Sequence, residues 1–86
     1  MPINGLLINL SDDEVLAAET VDLMRKSGKL EMGELADRYL PVVVEASNVG
    51  VSHDVHEWID DLPGVVSVDV IFASVEEPNR NKVENI

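Results

Sequence analysis

The sequence predicts an α+β sandwich, in which an antiparallel four-stranded sheet carries two helices on one face. Two observations predict it. Apolar residues recur with the period of a strand or of a helix in the order β-α-β-β-α-β, and the 86 residues are enough for one domain. This order is the signature of the ferredoxin-like fold. We expect residues 1–77 to form the domain and residues 78–86, which have little to bury, to form a flexible C-terminal tail.

The first half of the chain predicts a strand, then a helix. The apolar run INGLLINL, residues 3–10, predicts the first strand. Ser11 and Glu14 have the spacing of a capping box, in which each side chain satisfies a free amide of the first helical turn. We expect the helix to run to about Ser27, because Gly28 is a favourable C-terminal stop.

The middle of the chain predicts a hairpin followed by the second helix. Residues 29–35 predict a weak strand, residues 36–39 (ADRY) a turn, and residues 40–47 (LPVVVEAS) a strong strand. Ser52 is the expected N-cap of a helix over residues 53–62, which carries a one-sided apolar stripe.

Strict alternation predicts the last strand and the two faces of the sheet. We expect Val66, Val68, Val70 and Phe72 to point at the helices, because successive strand residues face opposite sides. By the same parity, the helix side also takes Leu6, Ile8 and Leu10 of the first strand and Val42, Val44 and Ala46 of the third. The other face then has nothing in the chain to cover it and is a place for a partner to dock. The candidate binding residues on that face are Leu7, Asn9, Val43, Glu45, Ser67, Asp69 and Ile71.

Composition excludes several classes of function. There are 17 acidic and 6 basic residues, a formal charge of −11, which argues against a nucleic-acid partner and for a cationic one or for high solubility. Without cysteine, disulfides and thiol chemistry are excluded. No apolar run approaches the roughly 20 residues that span a bilayer, and the N-terminus lacks the basic region of a secretory signal. We therefore expect a cytoplasmic protein that does not insert into membranes.

The sequence contains no pattern typical of a catalytic site. It has neither a glycine-rich phosphate loop nor a nucleophile elbow, so we expect no enzyme and no cofactor. His53 and His56 have the i, i+3 spacing of a weak metal site, but a solvated helix face is the expected alternative and we predict no metal. Glu45 and Asp69 are expected about 10 Å apart across one intervening strand. They either receive two cationic groups of a peptide or serve solubility.

Two segments carry a family resemblance. LPVVVEAS (40–47), an amphipathic helix, and LPGVVSVDVIFASVEE (62–77) follow one another in a way that resembles the second half of the NapD family. The resemblance covers residues 40–77 best. In the first half, element order and length agree more than the residues do.

The resemblance implies a function. NapD proteins are cytoplasmic chaperones that bind the twin-arginine signal peptide of the periplasmic nitrate reductase precursor. They hold back export until the molybdenum cofactor is inserted, carry no cofactor and catalyse nothing. Their peptide docks on the sheet face away from the helices. Strand parity, and not the family, then leads us to expect that Glu45 and Asp69 receive the arginines and that Leu7, Val43 and Ile71 contact the apolar stretch.

Two other functions remain open at this point. A regulatory or oligomerisation domain would use the uncovered face for a homodimer interface or for sensing a small ligand. A metal-dependent enzyme would use His53 and His56.

Overall fold

The computed structural model describes residues 2–75. Its strands are β1 (Pro2–Leu10), β2 (Glu31–Met32), β3 (Tyr39–Glu45) and β4 (Val65–Val75), and its helices are α1 (Glu14–Ser27) and α2 (Val49–Asp60). The predicted tail, residues 78–86, lies outside the described residues.

The fold is the predicted α+β, ferredoxin-like sandwich. The elements follow in the order β1-α1-β2-β3-α2-β4, and the open sheet has the strand order β2-β3-β1-β4 with every neighbouring pair antiparallel. The two central strands are therefore β1 and β3, and each has a hydrogen-bonded neighbour on both of its edges.

The register of β1 and β3 decides which side chains enter the core. Residues that pair directly across neighbouring strands lie on the same face, and Leu6 pairs with Val42 and Ile8 with Leu40. This side of the sheet packs on both helices, through Met24 of α1 and through α2. The buried apolar side chains are Leu6, Ile8, Leu10, Met24, Leu40, Val42, Val44, Ala46, Val55 and Ile59. The predicted core of these two strands is confirmed.

Both helices begin at a different residue from the one predicted. Asp13, not Ser11, caps α1: its carboxylate accepts hydrogen bonds from the amides of Val15 and Leu16, each at 3.1 Å. The Ser11 hydroxyl accepts from the Asp13 amide instead. The end of α1 is as predicted, because Gly28 has the left-handed φ of 70° that suits a C-terminal stop.

Helix α2 starts one turn earlier than predicted. Asn48 is its N-cap, with its side chain accepting from the Val51 amide at 2.9 Å. Ser52 is buried inside the helix, and its hydroxyl accepts a hydrogen bond from the Asn4 side chain on β1. A buried hydroxyl needs such a partner, so Ser52 anchors α2 to the sheet rather than capping it.

Strand β2 is much shorter than the predicted segment 29–35. It pairs with β3 only at Glu31 and Met32, and the turn predicted at ADRY closes the hairpin through reciprocal backbone bonds between Ala36 and Tyr39 at 2.9 Å. Asp37 takes a positive φ of 61° in this turn, a conformation that aspartate tolerates better than most residues.

Two bulges in β4 make part of the predicted alternation wrong. Val66 and Ile71 have no partner on β1, because the register shifts at Asn9/Leu10 and at Gly5/Leu6. Val68 packs against the core and Val70 pairs with the buried Leu6, so both lie on the helix side as predicted, although Val70 is 54% exposed. Val66 is a bulge residue and is 64% exposed. An inserted residue reverses the parity of everything beyond it.

Because of this reversal, Phe72 lies on the opposite face of the sheet from the one predicted. It pairs with Gly5, which lies on the face away from the helices, and it is 49% exposed. The prediction that Phe72 points at the helices is therefore wrong.

Candidate functional site

The face of the sheet opposite the helices is the candidate site. We call it the open face. Pairing with the odd-numbered residues of β1 assigns to it Ile3, Gly5, Leu7, Asn9, Glu31, Tyr39, Pro41, Val43, Glu45, Ser67, Asp69, Phe72 and Ser74. Within residues 2–75 all of them except Gly5 keep at least partial solvent exposure, so neither helix covers this face.

Six of the seven predicted binding residues lie on the open face. Leu7 pairs with Asp69 and Asn9 pairs with Ser67 on one side of β1, while Val43 and Glu45 pair with Gly5 and Ile3 on the other. No bulge falls within the stretches of β1, β3 and β4 that carry these six residues, so their side chains alternate between the two faces as the sequence predicts. Ile71 differs, because it is the unpaired residue of the second bulge and is 59% exposed.

Glu45 and Asp69 are further apart than the sequence predicts. Glu45 is opposite Ile3 and Asp69 is opposite Leu7, so the two acids are offset by four residues along β1. That offset is about 13 Å, and the spacing across β1 adds about 9.5 Å at right angles, so their backbones are roughly 16 Å apart. The expected 10 Å separation assumed that the two residues stand in one row, and it is wrong.

Glu31 is the acid that lies nearest to Glu45 on the open face. It pairs with Val43, two residues from Glu45 on the same strand, and such diagonal neighbours are about 7–8 Å apart. Both side chains are exposed. We call these two residues the acidic corner. The sequence alone does not reveal Glu31 as a neighbour of Glu45, because the weak pattern of β2 gives no register; the pairing of Glu31 with Val43 on β3 is what places it there.

An apolar centre lies beside the acidic corner. One row across the sheet runs from Glu31 through Val43 and Gly5 to Phe72. A β-carbon placed on Gly5 would come within 3.0 Å of three ring atoms of Phe72, so the ring occupies the space that a side chain at position 5 would need. Val43, Phe72 and the half-buried Leu7 in the next row form what we call the apolar centre.

Asn9 carries an unsatisfied polar atom at the end of the open face nearest α1. Its Oδ1 is enclosed and has no hydrogen-bond partner among the described residues. An enclosed acceptor without a donor costs about 1–3 kcal/mol, so we expect Asn9 to lower the stability of the fold.

Chemically, the open face can bind a segment that is cationic at one end and apolar at the other. Two carboxylates on diagonally neighbouring residues can accept hydrogen bonds from guanidinium or ammonium groups, and the neighbouring Val43 and Phe72 offer apolar contact area. The net charge of −11 adds a long-range attraction for such a cation.

One of the two histidines stands in a group of possible metal ligands on α2. His53 stands with Asp54 and Glu57, whose ligand atoms all lie within 4.8 Å of one another, and His53 Nε2 is 3.8 Å from Glu57. All three side chains are exposed on α2. His56 lies outside this group, and the group itself faces away from the open face because α2 packs on the opposite side of the sheet.

A groove of about 780 Å³ lies between α1 and the β2–β3 hairpin. Its walls include Ala17, Ala18 and Val21 on one side and Leu35 and Arg38 on the other. None of the predicted binding residues lines it, and it is separated from the open face by the sheet itself.

Comparisons with protein-family models, with curated proteins and with solved structures found no match for this chain. Neither of the helices in residues 2–75 combines the length and the apolar character needed to cross a membrane.

Proposed function

We propose that the open face binds the twin-arginine signal peptide of a molybdoenzyme precursor, such as a nitrate reductase, in the manner of a NapD-like chaperone. The observation that carries this proposal is the acidic corner beside the apolar centre, on a face that neither helix covers. A twin-arginine leader has a cationic end followed by an apolar stretch, the same order of chemistry.

The acidic corner receives the arginines. Glu31 and Glu45 are neighbours on the open face, and guanidinium groups bind carboxylates through strong, bidentate hydrogen bonds. Asp69, about 16 Å from Glu45, is left to attract the peptide at long range.

The apolar stretch of the leader lies over the apolar centre. Phe72 supplies the largest exposed side chain there, and Val43 and Leu7 flank it. A leader that is bound to this face cannot reach the export machinery, so binding in the cytoplasm delays export until the cofactor is inserted. The protein itself catalyses nothing and needs no cofactor.

Calorimetric titration of a synthetic twin-arginine leader tests the proposal. The variant Glu31→Gln/Glu45→Gln removes the acidic corner and is expected to weaken binding about tenfold, since each exposed charge pair contributes up to about 1 kcal/mol. The matched control Asp54→Asn/Glu57→Gln removes two exposed acids from α2 and is expected to change the affinity less than threefold. Equal losses in the two variants mean that net charge alone attracts the leader, and no binding to the wild type rejects the proposal.

Self-association through the open face is the second candidate function. The exposed Phe72 at the apolar centre favours it, whereas repulsion between two chains of charge −11 opposes it. Sedimentation decides between them: a dimer that persists at low concentration and is lost in Phe72→Ser supports the second candidate.

A further inference from the structure

The outer edge of β4 is a second unpartnered surface of the sheet. Strand β4 runs over eleven residues, and within residues 2–75 it pairs with β1 alone. The opposite edge of the sheet is formed by β2, which has two residues. The long edge therefore offers a row of backbone N–H and C=O groups to an added strand.

The edge lacks most features that block strand addition. Residues 65–75 contain no proline and no lysine, and Asp69 is their one charged residue. The two bulges limit the regular part of the edge to Ser67–Val70, in which each residue has a partner on β1. A partner strand can therefore pair in register over about four residues, on the edge of β4 that faces away from β1.

Side chains along this regular stretch define what would pair with it. Val68 and Val70 lie on the helix side, where Val70 is 54% exposed. Asp69 lies between them on the open face. Directly opposite residues on an added strand would stand about 5 Å away, so an apolar, basic, apolar sequence would match all three positions.

We propose that the outer edge of β4 accepts an extended segment of a partner polypeptide as a fifth strand, with a basic residue opposite Asp69 and apolar residues opposite Val68 and Val70. Charge selects this occupant over a second copy of the chain, since two copies would each bring a charge of −11 to the contact. The inference goes beyond the proposed function and does not rest on it, because the edge and the acidic corner are on opposite margins of the sheet.

Amide hydrogen exchange, measured by NMR on the full chain, tests the inference. The probe is a synthetic peptide with Val-Arg-Val at its centre, and the control peptide has the same composition with Arg-Val-Val there. At saturating probe, the outward-facing amides of Ser67–Val70 are expected to exchange at least about tenfold more slowly. Asp69→Asn is expected to weaken the probe about threefold, and the matched control Asp54→Asn is expected to leave its affinity unchanged.

Three outcomes overturn the inference. The first is binding of the probe with no slowing of exchange along β4. The second is equal affinity for the two peptides. The third is protection of the same amides in the free chain together with a dimer in sedimentation, which would identify a second copy as the occupant. Failure of the twin-arginine leader to bind, with the β4 amides protected by the probe, rejects the proposed function and leaves this inference standing.

Discussion

The ring of Phe72 lies over the backbone of Gly5, its partner on the neighbouring strand, and fills the space that a side chain at position 5 would occupy. The bulge at Ile71 produces this contact, because it turns Phe72 from the helix side to the open face. At this point of the open face, the aromatic ring of Phe72 therefore covers the backbone of Gly5, which has no side chain.

A double-mutant cycle measures this contact. Gly5→Ala is expected to lower the free energy of unfolding by about 1 kcal/mol, since the new methyl group displaces the ring. In the Phe72→Ala background the same change is expected to be neutral or stabilising by up to about 0.5 kcal/mol, because alanine then relieves only the entropy cost of glycine. Denaturant unfolding of the four proteins gives the coupling, and additive effects would mean that the ring does not rest on Gly5.

The connection between α2 and β4 is packed against α1 without room for a side chain. A β-carbon on Gly64 would come within 3.0 Å of Thr20 and of the Leu16 carbonyl oxygen, and the Gly64 amide donates to Thr20 Oγ1 at 2.9 Å. We expect Gly64→Ala to cost about 2–3 kcal/mol, because backbone atoms cannot move aside, and Thr20→Val to cost about 1–2 kcal/mol through the lost acceptor.

Gly50→Ala is the matched control for this prediction. Gly50 is exposed in the first turn of α2, and the nearest atom to its added β-carbon is the end of the Asn48 side chain. Alanine favours the helix there, so the unfolding midpoint should stay level or rise slightly. A loss at position 50 as large as that at position 64 would contradict the packing argument.

Asn9 is expected to be a residue that lowers stability. Asn9→Leu removes the enclosed Oδ1 that lacks a donor and is expected to raise the free energy of unfolding by about 1 kcal/mol. Urea denaturation measures the change. A loss of stability of the same size would show that the amide oxygen is satisfied in solution.

The carboxyl group of Asp22 is expected to titrate below its usual range. The hydrogen bond and charge of the Lys26 ammonium, 2.9 Å away, lower the pKa of Asp22 from its ordinary 3.8, with a smaller contribution from Arg25. The ionised form is favoured in the folded chain, so the associated stabilisation is present above about pH 4 and is lost as the pH falls through the lowered pKa.

NMR titration of the side-chain carboxyl carbon checks this prediction. Lys26→Met is expected to raise the pKa of Asp22 more than Arg25→Met does, following the order of the two contributions. The reverse order would mean that the contact to Arg25, at 3.3 Å, dominates in solution.

Much of the fold could be predicted because β1 and β3 alternate without interruption. Leu6, Ile8, Val42 and Val44 are buried as the pattern requires, and Gly28 ends α1 as expected. A single strand's sequence does not reveal a bulge, because the extra residue is defined only against its neighbour. The alternation therefore places Phe72 on the wrong face, although a glycine in the middle of β1 is a signal that another group approaches the backbone closely.

The helix starts and the acidic corner could not be predicted for a related reason. Ser11 and Asp13 are both good N-caps, and the choice between them depends on where β1 ends. The neighbour of Glu45 depends on the pairing of a two-residue strand, and no local pattern encodes that register.

Paramagnetic broadening of methyl signals tests the central claim most directly, namely that the leader lies on the open face. A twin-arginine leader that carries a spin label in its apolar stretch is bound to the methyl-labelled chain. We expect the methyl signals of Leu7 and Val43 to broaden, and those of Ala17 and Val21, which line the groove beside α1, to stay sharp. Broadening of Ala17 and Val21 with sharp signals from Leu7 and Val43 would contradict the account.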